Sequence, residues 1–100
     1  MSEVFTLLVQ VGRTDGDGLP DGTTGAALLC YAAGRDEKNA VDETVNVLRQ
    51  ADMSVLEVES LGSRMEREEE GPLDPSETDL MDRALTDNAV VVAQVTTFDD

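Results

Sequence analysis

The sequence contains no histidine and only one cysteine, Cys30, among its 100 residues. Histidine is the commonest metal ligand and the side chain that titrates nearest neutral pH, so its absence excludes the usual histidine-based sites. A single cysteine excludes an internal disulfide and any multi-cysteine metal site. We therefore expect no cofactor, and the sequence favours a non-enzymatic role.

Basic residues are also scarce. The sequence has six arginines and one lysine but 22 acidic residues, which gives a net charge of −15. Nucleic acids and anionic membranes are bound by clustered Lys and Arg, so we expect neither as a partner. The acid excess has two possible meanings: a solvated surface suited to a saline cell, or a surface that docks a basic protein. For the second, the densest acidic run offers Glu68, Glu69 and Glu70 as interaction residues.

Long hydrophobic runs are missing too, since no apolar segment approaches the ~20 residues that span a bilayer. The start of the chain, Met1-Ser2-Glu3, lacks the features of a signal peptide, so we expect a cytoplasmic protein. The hydrophobic content of 40% and charged content of 29% are ordinary for a folded protein. Residues 1–100 are therefore predicted to form one α+β domain, with mobile loops at about 12–25 and 62–73.

Four segments have the character of strands: Val4–Val11, Ala26–Ala33, Ser54–Leu61 and Ala89–Phe98. The second is a short apolar run between glycines, which favours a strand although its alanines and leucines also suit a helix. In the third, Leu56 and Val58 are predicted on one face, with Glu57 and Glu59 on the other. In the fourth, valines fall on both faces, which predicts an interior strand.

Two segments are predicted to be helices. Glu37–Asp52 has apolar residues at helical spacing, and Asp36 before it is a good N-cap. Asp74 and Pro75 begin the second helix, which ends near Thr86, with Glu77 placed to reach back to the amide of Asp74.

The predicted order of elements is ββαβαβ, with a four-stranded mixed sheet and two helices on one face. The second and third strands would run parallel through a helical crossover. In outline this resembles ferredoxin-like and split βαβ domains, a likeness of fold that implies no function. The uncovered face of such a sheet would expose apolar side chains, so we expect a homo-oligomer formed through the sheet.

A loop rich in aspartate and glycine offers a candidate metal site at Asp15, Asp17 and Asp21. It resembles the calcium loops of thrombospondin-type repeats and EF-hand relatives, which supply oxygen ligands from a loop bent by glycine. The match is incomplete, since Arg13 and Thr24 stand where acidic ligands would be needed. A weak Ca²⁺ or Mg²⁺ site and a plain turn-forming loop are both possible interpretations.

Other side chains that could support chemistry have simpler structural interpretations or carry little information. Arg35 follows the second strand, at the end of the sheet where α/β folds bind ligands, and is a candidate ligand-binding residue; an ion pair with Asp36 is the alternative. Cys30 is predicted to pack in the core, with Tyr31 half-buried on the opposite face. Paired carboxylates such as Glu57 and Glu59 are too abundant to indicate catalysis.

Three hypotheses follow for function. The first is a small acidic interaction or regulatory module that associates with itself through its sheet. The second is an acidic decoy or adaptor that binds a basic protein, and the third is a weak metal-binding protein or carboxylate-based enzyme.

Overall fold

The computed structural model describes residues 2–14, 16 and 18–99. The elements along this part of the chain are β1 Glu3–Gly12, β2 Thr23–Gly34, α1 Glu37–Gln50, β3 Ser54–Ser63, α2 Arg64–Glu70, α3 Pro75–Asp87 and β4 Val90–Asp99. The predicted α+β class and the four strands are confirmed, and the ambiguous run over residues 26–33 is a strand.

The strands form one sheet in the order β3-β1-β2-β4, and every neighbouring pair is antiparallel. The predicted mixed sheet is therefore wrong. The strand β1 lies between β2 and β3 and is antiparallel to both. The strands β2 and β3 therefore run in the same direction without pairing to each other. The unit β2-α1-β3 is thus a split βαβ unit, but the order of elements is not the βαββαβ of ferredoxin-like domains.

One face of the sheet, which we name the first face, is covered by α1. Asp36 caps this helix as predicted, accepting a hydrogen bond from the backbone N of Asn39 at 2.8 Å. The helix then lays Ala40 and Leu48 on the hydrophobic residues of β1 and β2. Its first turn comes so close to the end of β2 that a Cβ atom at Gly34 would lie 2.7 Å from the backbone N of Ala40. A glycine is therefore required where the helix meets the sheet.

The opposite face, named the second face, is covered in part by α3. Met81 and Ala84 of this helix are buried against Val4 and Tyr31. The prediction of both helices on one face is therefore wrong. The reason is visible in β1, where four consecutive residues from Val4 to Leu7 are buried and so need cover on both sides.

For the segment 62–73 the sequence allows a mobile loop or an extension of the third strand. The strand β3 does extend to Ser63, and the helix α2 follows it. Ser63 and Glu66 form a reciprocal capping box: each side chain accepts a hydrogen bond from the other's backbone N at 3.2 Å. Two of the donors at the start of α2 are satisfied in this way, which allows a helix without a buried side to form. The connection between β1 and β2 is shorter than predicted and covers residues 13–22.

Candidate functional site

The strand β4 lies at an edge of the sheet and pairs only with β2. Its prediction as an interior strand is wrong, although its hydrophobic character on both faces was read correctly. Three of its large side chains stay exposed as a result: Val92 at 43%, Val95 at 50% and Phe98 at 40%. Val92 and Val95 pair with Cys30 and Leu28, which places them on the first face.

The edge formed by β4 carries no charge before its last residue, Asp99. Residues 88–98 contain no acidic or basic side chain, in a chain that is 29% charged. Exposed edge strands are usually protected by charges, prolines or bulges because their unpaired backbone groups can pair with another chain. A bulge at Ala93 interrupts the pairing with β2, but Gln94 to Phe98 beyond it pair regularly. This edge is therefore only weakly protected.

The opposite edge, formed by β3, is protected. Glu57 and Glu59 project from it on the second face, opposite Gln10 and Leu8. Two bulges interrupt its pairing with β1, and the extra residues there are Leu56 and Leu61. They are 67% and 43% exposed for this reason. The predicted common face for Leu56 and Val58 is wrong, because the bulge turns Leu56 outwards while Val58 packs on the core.

A cluster of polar side chains joins α2 and α3 to the second face. The Tyr31 hydroxyl donates to Oε1 of Glu77 at 2.6 Å. Arg67 Nη1 donates to the same oxygen at 2.9 Å and to the Thr6 hydroxyl at 3.0 Å. The Asp74 side chain caps α3 by accepting from the backbone N of Ser76 at 2.9 Å. The Glu77 carboxylate also accepts from the backbone N of Asp74, as predicted.

Burial and hydrogen bonding set the protonation of this cluster. Burial raises the pKa of Tyr31 to about 12, and the hydrogen bond to Glu77 adds to the effect. The Tyr31 hydroxyl and the Arg67 guanidinium hold the pKa of Glu77 below its ordinary value. Tyr31 is fully buried rather than half-buried as predicted. The cluster is thus a neutral phenol beside an ion pair.

Cys30 lies on the first face, in the core position predicted for it. Burial raises the pKa of its thiol to about 11. The thiolate is the nucleophilic form, so this side chain is unreactive at neutral pH.

A cavity of about 400 Å³ opens beside the polar cluster, where the N-terminal end of α3 meets β2 and β4. Its walls combine apolar and polar side chains: Leu29, Leu80 and Ala93 with Asp74, Glu77 and Gln94. This part of the molecule had no signal in the sequence, because the residues come from three distant segments.

The candidate metal loop is only partly described. Asp15 and Asp17 lie outside the described residues, and Asp21 is exposed. Arg13 Nη1 donates to the carbonyl oxygens of Pro20 at 2.9 Å and Thr23 at 2.7 Å. A guanidinium thus binds two backbone carbonyl oxygens beside the candidate loop, while the metal site stays a prediction. Among the described residues no group of three or more His, Cys, Asp or Glu side chains is placed to hold a metal.

The other predicted site residues lie on different elements. Arg35 is exposed just after β2, and Asp36 uses its carboxylate to cap α1 rather than to pair with this arginine. Glu68 accepts a hydrogen bond from Arg64 Nε at 3.0 Å, whereas Glu69 and Glu70 are exposed at the end of α2.

Comparison with protein families shows a match to a domain of unknown function, DUF8846, over residues 4–99. The chain belongs to the DUF8846 family. Comparison of this DUF8846 domain with curated proteins and with solved structures finds no match. No helix in the described part of the domain has the length and hydrophobicity needed to cross a bilayer.

Proposed function

We propose that this DUF8846 domain is a non-enzymatic, acidic interaction module that associates with itself by pairing β4 with β4 of a second copy. The observation that carries the proposal is the exposed edge of β4, which has no charged residue from Val90 to Phe98 in a strongly acidic chain. A role outside catalysis is supported by the neutral, buried thiol of Cys30 and by the hydrogen bond that occupies the Tyr31 hydroxyl.

Pairing through an edge follows from the groups that an edge strand presents. The outer side of β4 offers N–H and C=O groups that a second antiparallel strand can pair with. A two-fold axis would place the same strand on both sides of the contact, which is the commonest symmetry of homo-oligomers. Val92 and Val95 would then pack beside their counterparts on the first face. The sequence predicts association through an uncovered sheet face, but α3 packs on part of that face. We therefore place the contact at the edge of the sheet.

The charge of the chain predicts how salt will affect this association. Two copies that each carry a charge of −15 repel one another. Added salt screens that repulsion over a Debye length of ~10 Å at 0.1 M and ~3 Å at 1 M. Self-association should therefore strengthen as salt is added, whereas binding to a basic partner would weaken.

Light scattering coupled to size-exclusion chromatography tests the proposal. We expect a mass near twice 10.7 kDa at moderate salt. Val95→Glu should return the protein to a monomer, because it places like charges at the paired edges. Leu56→Glu makes a similar apolar-to-acidic change at the exposed bulge of β3 and should leave the dimer intact. A wild-type monomer at all salt concentrations, or an equal effect of the two variants, would contradict the proposal.

A further inference from the structure

The helices leave part of the second face uncovered. Burial decreases along β1, from buried Val4 and Thr6 to half-buried Leu8 and exposed Gln10. We name the uncovered part the open half; it consists of Leu8, Gln10, Ala27, Leu29, Glu57, Glu59, Gln94 and Thr96. It is a shallow, partly apolar surface with the cavity of about 400 Å³ at one border.

The open half is acidic. The four strands contain four acidic residues and no lysine or arginine. Glu57 and Glu59 belong to the open half itself, and Asp74 and Glu77 line the adjoining cavity. The neighbouring cation Arg67 forms an ion pair with Glu77. The surface therefore has a negative charge without a competing positive side chain on its own strands.

Asp74 keeps acceptor capacity beside the cavity. Its hydrogen bonds to Ser76 use Oδ1, and its second oxygen makes no side-chain hydrogen bond within the described part of the chain. The Glu77 carboxylate is more fully used, because it accepts from Tyr31, from Arg67 and from the backbone N of Asp74. An arriving donor can therefore bind Asp74 without breaking the cluster that anchors α3.

We propose that the open half docks an arginine- or lysine-rich segment of a partner protein. Leu8 and Leu29 would pack against the aliphatic stems of such side chains, while the carboxylates of Glu57 and Glu59 would bind their charged groups. Complementary charge is the feature that selects this occupant. The side chains proposed for self-association, Val92 and Val95, project from the first face, whereas Gln94 and Thr96 of the same strand belong to the open half.

A labelled peptide tests the docking surface. The probe is an eight-residue peptide of alternating arginine and valine, with a fluorescein label read by anisotropy; a peptide with glutamate in place of arginine is the control. The double variant Glu57→Gln, Glu59→Gln should weaken binding about tenfold at low salt, since it removes two exposed ion pairs. The matched variant Glu37→Gln, Glu43→Gln removes two charges from α1 and should change affinity less than about twofold.

Three outcomes decide the matter. Docking on the open half is supported if peptide affinity falls only in the Glu57→Gln, Glu59→Gln variant and if the peptide shifts amide NMR signals only in the open half. An equal loss of peptide affinity in both double variants would mean that the peptide is attracted diffusely to an acidic protein, and this would overturn the proposal. The proposal would also be overturned if the arginine peptide did not bind the wild type. Val95→Glu should leave peptide binding unchanged, so this proposal and the self-association proposal can fail separately.

Discussion

The two faces of the sheet differ in how their helices are attached and in how much surface those helices cover. On the first face, the odd-numbered residues of β1 from Phe5 to Val11 are all buried, and α1 packs on them through hydrophobic contacts. On the second face, α3 packs through a smaller hydrophobic cluster, a polar cluster around Tyr31 also joins α2 and α3 to the sheet, and part of the surface stays uncovered. The first face thus supplies most of the hydrophobic core, and the second leaves surface available for a partner.

The difference matters because hydrophobic contacts and hydrogen bonds make different net contributions to the free energy of unfolding. Burial of a large aliphatic side chain stabilises a fold by about 1.5–3 kcal/mol. A hydrogen bond that replaces one to water contributes about 1 kcal/mol. The polar cluster is therefore better suited to fixing where α2 and α3 sit than to supplying stability.

The largest expected effect separates the faces within one strand. Leu28 points into the first face and is 0% exposed, whereas its neighbour Leu29 lines the cavity on the second face. Leu28→Ala should lower the free energy of unfolding by about 3 kcal/mol, because it leaves a void in a packed core. Leu29→Ala should cost about 1 kcal/mol, since the removed atoms are already partly hydrated. Urea denaturation measures both values, and equal losses would show that the faces do not differ as described.

A smaller effect is expected from the polar cluster. Tyr31→Phe keeps the buried ring and removes the hydroxyl that donates to Glu77 at 2.6 Å. The loss should be about 1 kcal/mol, because Arg67 still satisfies the carboxylate. Denaturation at neutral pH measures it.

Alkaline pH provides the check on this variant. The pKa of Tyr31 is raised to about 12 in the folded protein, above the ~10 of an unfolded tyrosine. The stability from this shift is fully present below pH ~10 and is lost as pH rises through the folded pKa. The Tyr31→Phe variant lacks this loss. The difference in free energy of unfolding between the wild type and the variant should therefore narrow above pH ~10. A gap that stays constant would mean that the hydroxyl is not held as the structure shows.

Local signals in the sequence were sufficient for the individual elements. The alternation in β1, the Asp36 cap of α1 and the Asp74-Pro75 start of α3 are interactions within a few residues, and the structure contains all three. The capping box of Ser63 and Glu66 was equally local. It was missed because the charged run after it shows no apolar periodicity, which left α2 without a hydrophobic signal.

The arrangement of the elements could not be read in the same way. An amphipathic helix such as α3 fits either face of a sheet, and the apolar pattern of β4 does not say whether the strand lies inside or at an edge. The cluster on the second face joins Thr6 to Arg67 across 61 positions and Tyr31 to Glu77 across 46. Such contacts depend on the chain path, so the surfaces proposed here for docking and self-association emerge only from the fold.

The smallest expected effect is a difference in acid sensitivity caused by Glu77. Its pKa is lowered in the folded protein, first by the Tyr31 hydroxyl and then by Arg67, so its contribution is present above the unfolded pKa of ~4.3. That contribution is lost as pH falls through the folded pKa. The advantage of the wild type over Glu77→Gln should therefore shrink below pH ~4.3, by a modest amount because the Glu77 side chain is 26% exposed and screened by solvent. Thermal melts between neutral and acidic pH measure the difference. The change of this stability difference with pH should be smaller still in a Tyr31→Phe background. A stability advantage of Glu77 that does not change with pH would show that its carboxylate lies outside the cluster.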